Sequence, residues 1–192
     1  MSVPSGSVGT WDIHRIVRNM FPLLVLLSAI VLIAGITLED AQELLGEYGL
    51  LAVMVPTMVG MGGNLGAILS SRLSTRLHLG TTEFDPRDRE LWANVLAILA
   101  LGATVFTALA IGAWLIGQII GATLPLWVLL TISLSSGMSV AVVAIVCSFA
   151  ATYASFRLGI DPDDTTIPIV TNIVDVFGMI IFIGISTAVL SL

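Results

Sequence analysis

Five times along this chain an apolar stretch of about 20 residues or more passes with at most one charged side chain inside it. That pattern constrains the fold more than any single motif does. A run of this length crosses the roughly 30 Å hydrocarbon core of a bilayer as an α-helix. A helix does so because it satisfies each backbone N–H and C=O within its own segment. The spans are read as Met20 to Leu38, Gly49 to Leu73, Leu91 to Ile120, Leu126 to Arg157, and Thr166 to the end. Only 10% of the residues are charged and 57% are hydrophobic, whereas a soluble domain carries about 25% charged residues. The expected fold is an all-α integral membrane protein. Residues 1–19 form a short cytoplasmic segment and residues 20–192 one five-helix domain embedded in a lipid bilayer.

The formal charge of −6 is the wrong sign for nucleic acid, so no nucleic-acid partner is expected. The lone Cys147 lies in an apolar run and has no internal disulfide partner. Arg15 and Arg18 before the first span give the N-terminus a look of a signal peptide. Further spans follow it and no clean small-x-small site precedes the acidic loop, so the run reads as a retained helix.

All 7 basic residues are arginines. Arg15 and Arg18 precede the first span, Arg72, Arg76, Arg87 and Arg89 cluster between the second and third, and Arg157 ends the fourth. With five spans they all fall on one side, which the positive-inside rule assigns to the cytoplasm. The C-terminus is then outside. Trp92 and Trp114 lie about 33 Å apart along a helix, the separation of two bilayer interfaces. Trp127 marks the outer face and Tyr153 the inner, and Trp11 marks a short interfacial helix. His14 and His78 read as surface residues, neither having a partner at metal-ligand spacing.

Of 13 acidic residues, Asp175 alone falls well inside a span. Counted from Thr166 it lies about 13 Å deep, near the midplane. An ionised carboxylate there costs at least ~2.5 kcal/mol. No basic residue lies in a span interior to pair with it. Two readings stay open: a protonated acid bonded to a neighbouring helix, or an acid facing water and a cation. Intramembrane acids are functional candidates by default. Pro168, Thr171, Asp175 and Gly178 share one helical face, with Asn172 beside it. That stripe supplies oxygen ligands and little bulk. Ile169, Ile173, Val176 and Ile180 are expected to face lipid.

The second span carries its own oddity, VPTMVGMGGNLGAILSSRL. Pro56 removes a backbone donor, and Gly60, Gly62 and Gly63 weaken a helix. A break there would be tolerated beside a cavity, with Asn64 as an oxygen ligand. Close packing through Gly62 and Gly66 is the other reading. GGNLG lacks the Lys and the strand of a phosphate loop. In the fourth span Ser133, Ser135, Ser136, Gly137 and Ser139 read as a packing surface. Asp161, Asp163 and Asp164 precede the fifth span, either favouring its N-terminus, with Thr165 or Thr166 as cap, or ringing a cytoplasmic mouth. Calcium-loop spacing is absent.

PTMVGMGGNLGAILSSRLST followed by DPDDTTIPIVTNIVDVFG resembles the membrane domain of MgtE-type magnesium channels, and more closely that of solute carrier family 41. The resemblance covers nearly the whole chain in span number and motif order. It implies a dimer with a cation path along its axis, lined by the second and fifth helices. The acid matching Asp175 would bind a largely hydrated Mg²⁺, the transported ion. Asn64 would help line that site, and Thr171 lies one turn toward the cytoplasm. Asn172 is counted with the ligands, and Gly60, Gly63, Pro168 and Gly178 with the lining, with Asp161 and Asp164 at the mouth. Two departures matter. The Gln that bacterial members carry after the Gly-Asn motif is missing from GAILSS. Large regulatory domains are also missing, so closure by intracellular magnesium through them does not carry over. The eukaryotic relatives join two such domains in one chain, so this chain is expected to pair with itself or with a sister subunit.

The expected function is divalent cation transport, most of all of Mg²⁺, in the plasma membrane. A Na⁺- or H⁺-coupled transporter and a non-conducting scaffold subunit are the alternatives. An enzyme is not expected: aspartyl proteolysis needs two acids, only one lies in the membrane, and no span contains a histidine.

Overall fold

A computed structural model of the chain describes residues 13–80, 87–122, 124–160 and 162–191. Trp11 and Asp161 lie outside them. Six helices follow in order: α1 (Ile13–Asp40), α2 (Gln42–Glu47), α3 (Gly49–His78), α4 (Arg89–Ile120), α5 (Leu126–Arg157) and α6 (Pro162–Leu190). Among the described residues five stretches are long and apolar enough to cross a membrane: Met20–Asp40, Gly49–His78, Arg89–Ile120, Leu126–Arg157 and Thr165–Leu190. The protein is a multi-pass membrane protein. The acidic segment after the first span is itself a short helix, α2, rather than a loop.

α3 and α5 form the centre. α5 packs on α3, α4 and α6, while α1 leans chiefly on α6. Half of the most apolar window of α5 is buried inside the protein, against 11% for α1. Small residues set the crossings. The Phe106 ring of α4 lies over Gly137 of α5, where an added methyl would come within 2.2 Å of it. Beside that crossing Ser133 Oγ donates to the Phe106 carbonyl at 2.7 Å. Without a hydrophobic drive between helices in lipid, such close backbone approach and interhelical hydrogen bonding hold a bundle together.

Turn chemistry ends the helices where the sequence supplies it. Gly159 has φ 66°. This left-handed residue lets Ile160 N–H reach the Ser155 carbonyl at 3.0 Å and Gly159 N–H reach that of Phe156 at 3.2 Å, closing α5 with a Schellman motif. Asp88 caps α4, its Oδ1 accepting from Glu90 N–H at 2.9 Å. Arg76, in the last turn of α3, pairs with Asp88 at 3.4 Å and also with Glu90. One arginine thereby ties the end of α3 to the start of α4.

Three expectations need correction. α3 is not broken: it runs unbroken from Gly49 to His78 with Pro56 inside it. Pro56 deprives only the Ala52 carbonyl of a donor, and Gly62, Gly63 and Gly66 beyond it are met by side chains of α5 and α6. α6 begins at Pro162, so Thr165 and Thr166 are not caps. Proline suits the first helical position because the N–H it lacks would be unbonded there anyway. Thr166 is buried and its hydroxyl donates to Ser155 Oγ at 3.4 Å, while Thr165 Oγ1 lies 3.0 Å from the same atom. Val176 does not face lipid: it is buried, while Ile180 on the same expected face is exposed.

Candidate cation site

α6 crosses α3 through glycine. A methyl at Gly62 would lie 2.4 Å from Val140 Cγ1 of α5 and 3.1 Å from Val174 Cγ1 of α6. One turn on, a methyl at Gly66 would lie 2.6 Å from Val170 Cγ1 and 3.6 Å from Ala144 Cβ. These two glycines seat α3 against both neighbours. Val140, Ala144, Val170 and Val174 form a small apolar cluster at that seat. Gly178 lies in the same seam: a methyl there would be 3.8 Å from Val140 and 4.0 Å from the Val59 backbone.

Asp175 lies in this seam. A methyl on Gly63 would come within 2.9 Å of Asp175 Oδ1 and 3.7 Å of Thr171 Cβ. The missing side chain of Gly63 is therefore the space the carboxylate uses. Asp175 is half-buried and makes no hydrogen bond or ion pair with the described residues. It stands ten residues into the span that starts at Thr165, about 15 Å along the helix and half of the bilayer core. Among the described residues no group of three or more His, Cys, Asp or Glu side chains converges on a point. One chain thus brings a single carboxylate to the membrane interior.

The neighbouring oxygens are arranged by Pro168. Thr171 Oγ1 donates to the Ile167 and Pro168 carbonyls at 3.0 and 3.1 Å, and Asn172 Nδ2 donates to the Pro168 carbonyl at 2.7 Å. Thr171 spends its one donor, and Asn172 one of its two, on their own helix. The oxygens of Thr171, Asn172 and Asp175 are left as acceptors, and acceptors are what a cation or its water shell requires.

Of the expected site residues, the structure brings together Gly63, Thr171, Asp175 and Gly178 in the α3–α6 seam, with Pro168 and Asn172 on the adjoining α6 surface. Asn64 is not in the seam. It follows Gly63 on α3 but is exposed and lines a groove toward α4. Gly60 is likewise on the open face of α3, with no atom within 4 Å of an added methyl. Asp164 belongs to the first turn of α6.

Sequence reasoning missed a buried layer of hydroxyls below the site. Ser148 Oγ donates to the Gly66 carbonyl and accepts from Ser70 Oγ, both at 3.1 Å. Thr152 and Ser155 continue the stripe along α5, and the Thr152 hydroxyl has no hydrogen-bond partner among the described residues. The signal was present as spacings of four and three on α5, hidden among the many other small residues of that helix.

Comparison with known proteins adds the following. Residues 55–185 match the MgtE family, described as a divalent cation transporter. The chain is 28% identical over 170 residues to the magnesium transporter MgtE of Thermus thermophilus, covering 87% of this chain and 35% of that protein. It is 29% identical over 145 residues to solute carrier family 41 member 3 of Rattus norvegicus, covering 67% of this chain and 31% of that protein. The mouse protein of the same name is 28% identical over 149 residues, with 69% and 30% covered. The chain spans about a third of the length of these relatives.

Proposed function

The chain belongs to the MgtE family of divalent cation transporters, and on that premise we propose that it moves Mg²⁺ across the membrane along a path lined by α3 and α6. The observation that carries this reading is Asp175, a midplane carboxylate with no protein partner among the described residues, set against the bare backbone of Gly63. Left ionised and alone, it would be costly in the bilayer interior. A hydrated dication offsets that cost and leaves the site again.

Mg²⁺ fits the donor set. It sheds water reluctantly, keeps several waters, and is usually held through one or two carboxylates. Asp175 supplies one, and a two-fold axis beside α6 supplies the second from another copy or a sister subunit. Two carboxylates side by side resist ionising together, and the dication between them relieves that repulsion. The oxygens of Thr171 and Asn172 accept from the water shell. Gly60 and Asn64 line the same path from the open face of α3. Gly178 and Pro168 keep it narrow, and Asp161 and Asp164 draw cations to its mouth. The arginine-bearing ends face the cytoplasm.

The test is uptake by the purified protein in liposomes loaded with a magnesium-sensitive dye. Wild type admits Mg²⁺ in response to membrane potential alone, and Asp175→Ala abolishes uptake while still inserting as wild type. Normal uptake by Asp175→Ala removes the central role of the acid. Dependence on a second gradient of Na⁺ or H⁺ replaces the pore with a coupled transporter. Wild-type liposomes that pass no divalent cation leave the chain a scaffold.

A further inference from the structure

The flank of α3 that faces away from α6 carries a groove of about 390 Å³. Met61, Leu65 and Ile68 of α3 and Leu101 and Val105 of α4 line it, with Asn64 at the edge toward the open face of α3. Helical geometry carries this furrow on to a charge. At about 100° per residue, Arg72 points between Met61 and Leu65 on α3, and Asn94 points between Leu101 and Val105 on α4. Arg72 Nη1 donates to Asn94 Oδ1 at 2.8 Å, and Asn94 Nδ2 donates to the Glu90 carbonyl at 2.8 Å. The guanidinium is thereby fixed at one end of the furrow by a side chain that is itself fixed.

The charge at that end is not neutralised. Among the described residues no carboxylate pairs with Arg72, whose partner is a neutral amide. Arg76, one turn further on, meets Asp88 and Glu90. Arg72 is exposed, and its Nε and Nη2 make no hydrogen bond to the described residues. Depth gives these donors a partner. Gly63 lies against Asp175 near the midplane, and Arg72 is nine residues further along α3, about 14 Å. Half of the hydrocarbon core is about 15 Å, so the guanidinium stands where lipid phosphates begin. Met61 to Ile68 run from the midplane about 8 Å toward that level, the depth of the acyl chains in the same leaflet. Trp92, exposed two residues before Asn94, marks the level with an interfacial ring.

We propose that the groove between α3 and α4 seats one anionic phospholipid, its phosphate on Arg72 and one acyl chain along Ile68, Leu65 and Met61. A guanidinium edge matches a phosphate with two parallel N–H donors, and Nε and Nη2 are such an edge. A free anion would meet Arg72 alone, whereas a lipid joins the phosphate to a chain that descends into the apolar furrow. The volume suits a single chain; a helix about 10 Å across would lie over the furrow rather than in it. A zwitterionic headgroup carries its own cation beside the phosphate, so a net-anionic lipid compensates Arg72 better. The seat is on the flank of α3 opposite the seam with Asp175, and the lipid braces that helix without entering the seam.

Native mass spectrometry of the chain purified in neutral detergent tests this, with phosphatidylglycerol and phosphatidylcholine of identical acyl chains added in equal amounts. Wild type should retain phosphatidylglycerol over phosphatidylcholine by about fivefold, the effect of one interfacial arginine. Arg72→Gln should bring that ratio close to one. Arg72→Lys keeps the charge without the fork and should hold an intermediate ratio; it stands in if the glutamine variant does not purify. Leu101→Trp fills the furrow and should lower retention of both lipids with Arg72 intact. Arg157→Gln is the control: it removes the same charge from α5, where Arg157 Nε donates to the Tyr153 hydroxyl at 2.8 Å, and should keep the wild-type ratio. A wild type without preference overturns the assignment. So does an equal loss in Arg72→Gln and Arg157→Gln, which reduces the effect to general attraction by the basic side. A Leu101→Trp variant that splits a dimer and retains lipid as wild type also overturns it, giving the furrow to a second copy.

Discussion

Replacing Gly63 by alanine separates the site from the scaffold. The added methyl would meet Asp175 Oδ1 at 2.9 Å and nothing else closer than 3.7 Å. Ordinary contact begins near 3.4 Å, so the carboxylate must retreat by about 0.5 Å. It can do so, because the obstructing atom is the free end of a side chain and no hydrogen bond to the described residues holds it. An off-rotamer shift of this kind costs about 0.5–1.5 kcal/mol, and alanine in place of helical glycine returns about 1 kcal/mol. The two nearly cancel. Thermal stability in detergent is therefore expected within about 3 °C of wild type, with Mg²⁺ uptake by proteoliposomes sharply reduced. Gly66→Ala is the control. Its methyl strikes Val170 Cγ1 at 2.6 Å, away from the acid, so it should lower stability and leave surviving protein with its uptake. Wild-type uptake by Gly63→Ala at unchanged stability would falsify the claim that carboxylate position governs transport. A large loss of stability would show that Gly63 serves packing alone.

Other outcomes follow from the same geometry. Gly137→Ala places a methyl 2.2 Å from the fully buried Phe106 ring. It should cost about 3 kcal/mol or more, seen as a fall of roughly 10 °C in melting temperature. Asp175→Asn keeps shape and polarity but loses the charge, so uptake should vanish at normal expression and stability; uptake that persists would show that the charge is dispensable. Ser133→Ala removes a buried interhelical hydrogen bond of 2.7 Å and should cost about 0.6 kcal/mol, the usual value for such bonds in membranes. Arg76→Gln releases Asp88 and Glu90. It should lower stability by up to about 1 kcal/mol at low salt and by less as salt rises, read as melting temperature against ionic strength.

Glycine in α3 has two different uses that the chain interleaves. Gly62 and Gly66 are occupied by valine methyls from α5 and α6, and so are structural. Gly63, between them, faces an acid that no hydrogen bond to the described residues holds. Gly60 is occupied by nothing within the chain. All four looked alike as letters in GMGGNLG. What tells them apart is the neighbour each backbone meets, and residues far along the chain supply those neighbours.

The number of spans, their approximate ends, the depth of Asp175 and the prominence of the α3 motif were all determined by the sequence alone. Lipid acts on each segment separately: length and apolarity decide whether a run crosses, and a carboxylate's place in the run decides its depth. Which way each helix faces was decided only by the tertiary structure. Val176 turned inward, Asn64 turned away from Asp175, and α3 stayed unbroken through Pro56. The reason is that the outside of a membrane bundle is as apolar as its inside, so the pattern that orients a soluble helix is nearly absent here. Orientation comes instead from contacts between segments distant in sequence, Gly63 with Asp175 and Gly137 with Phe106, which no window along the chain contains.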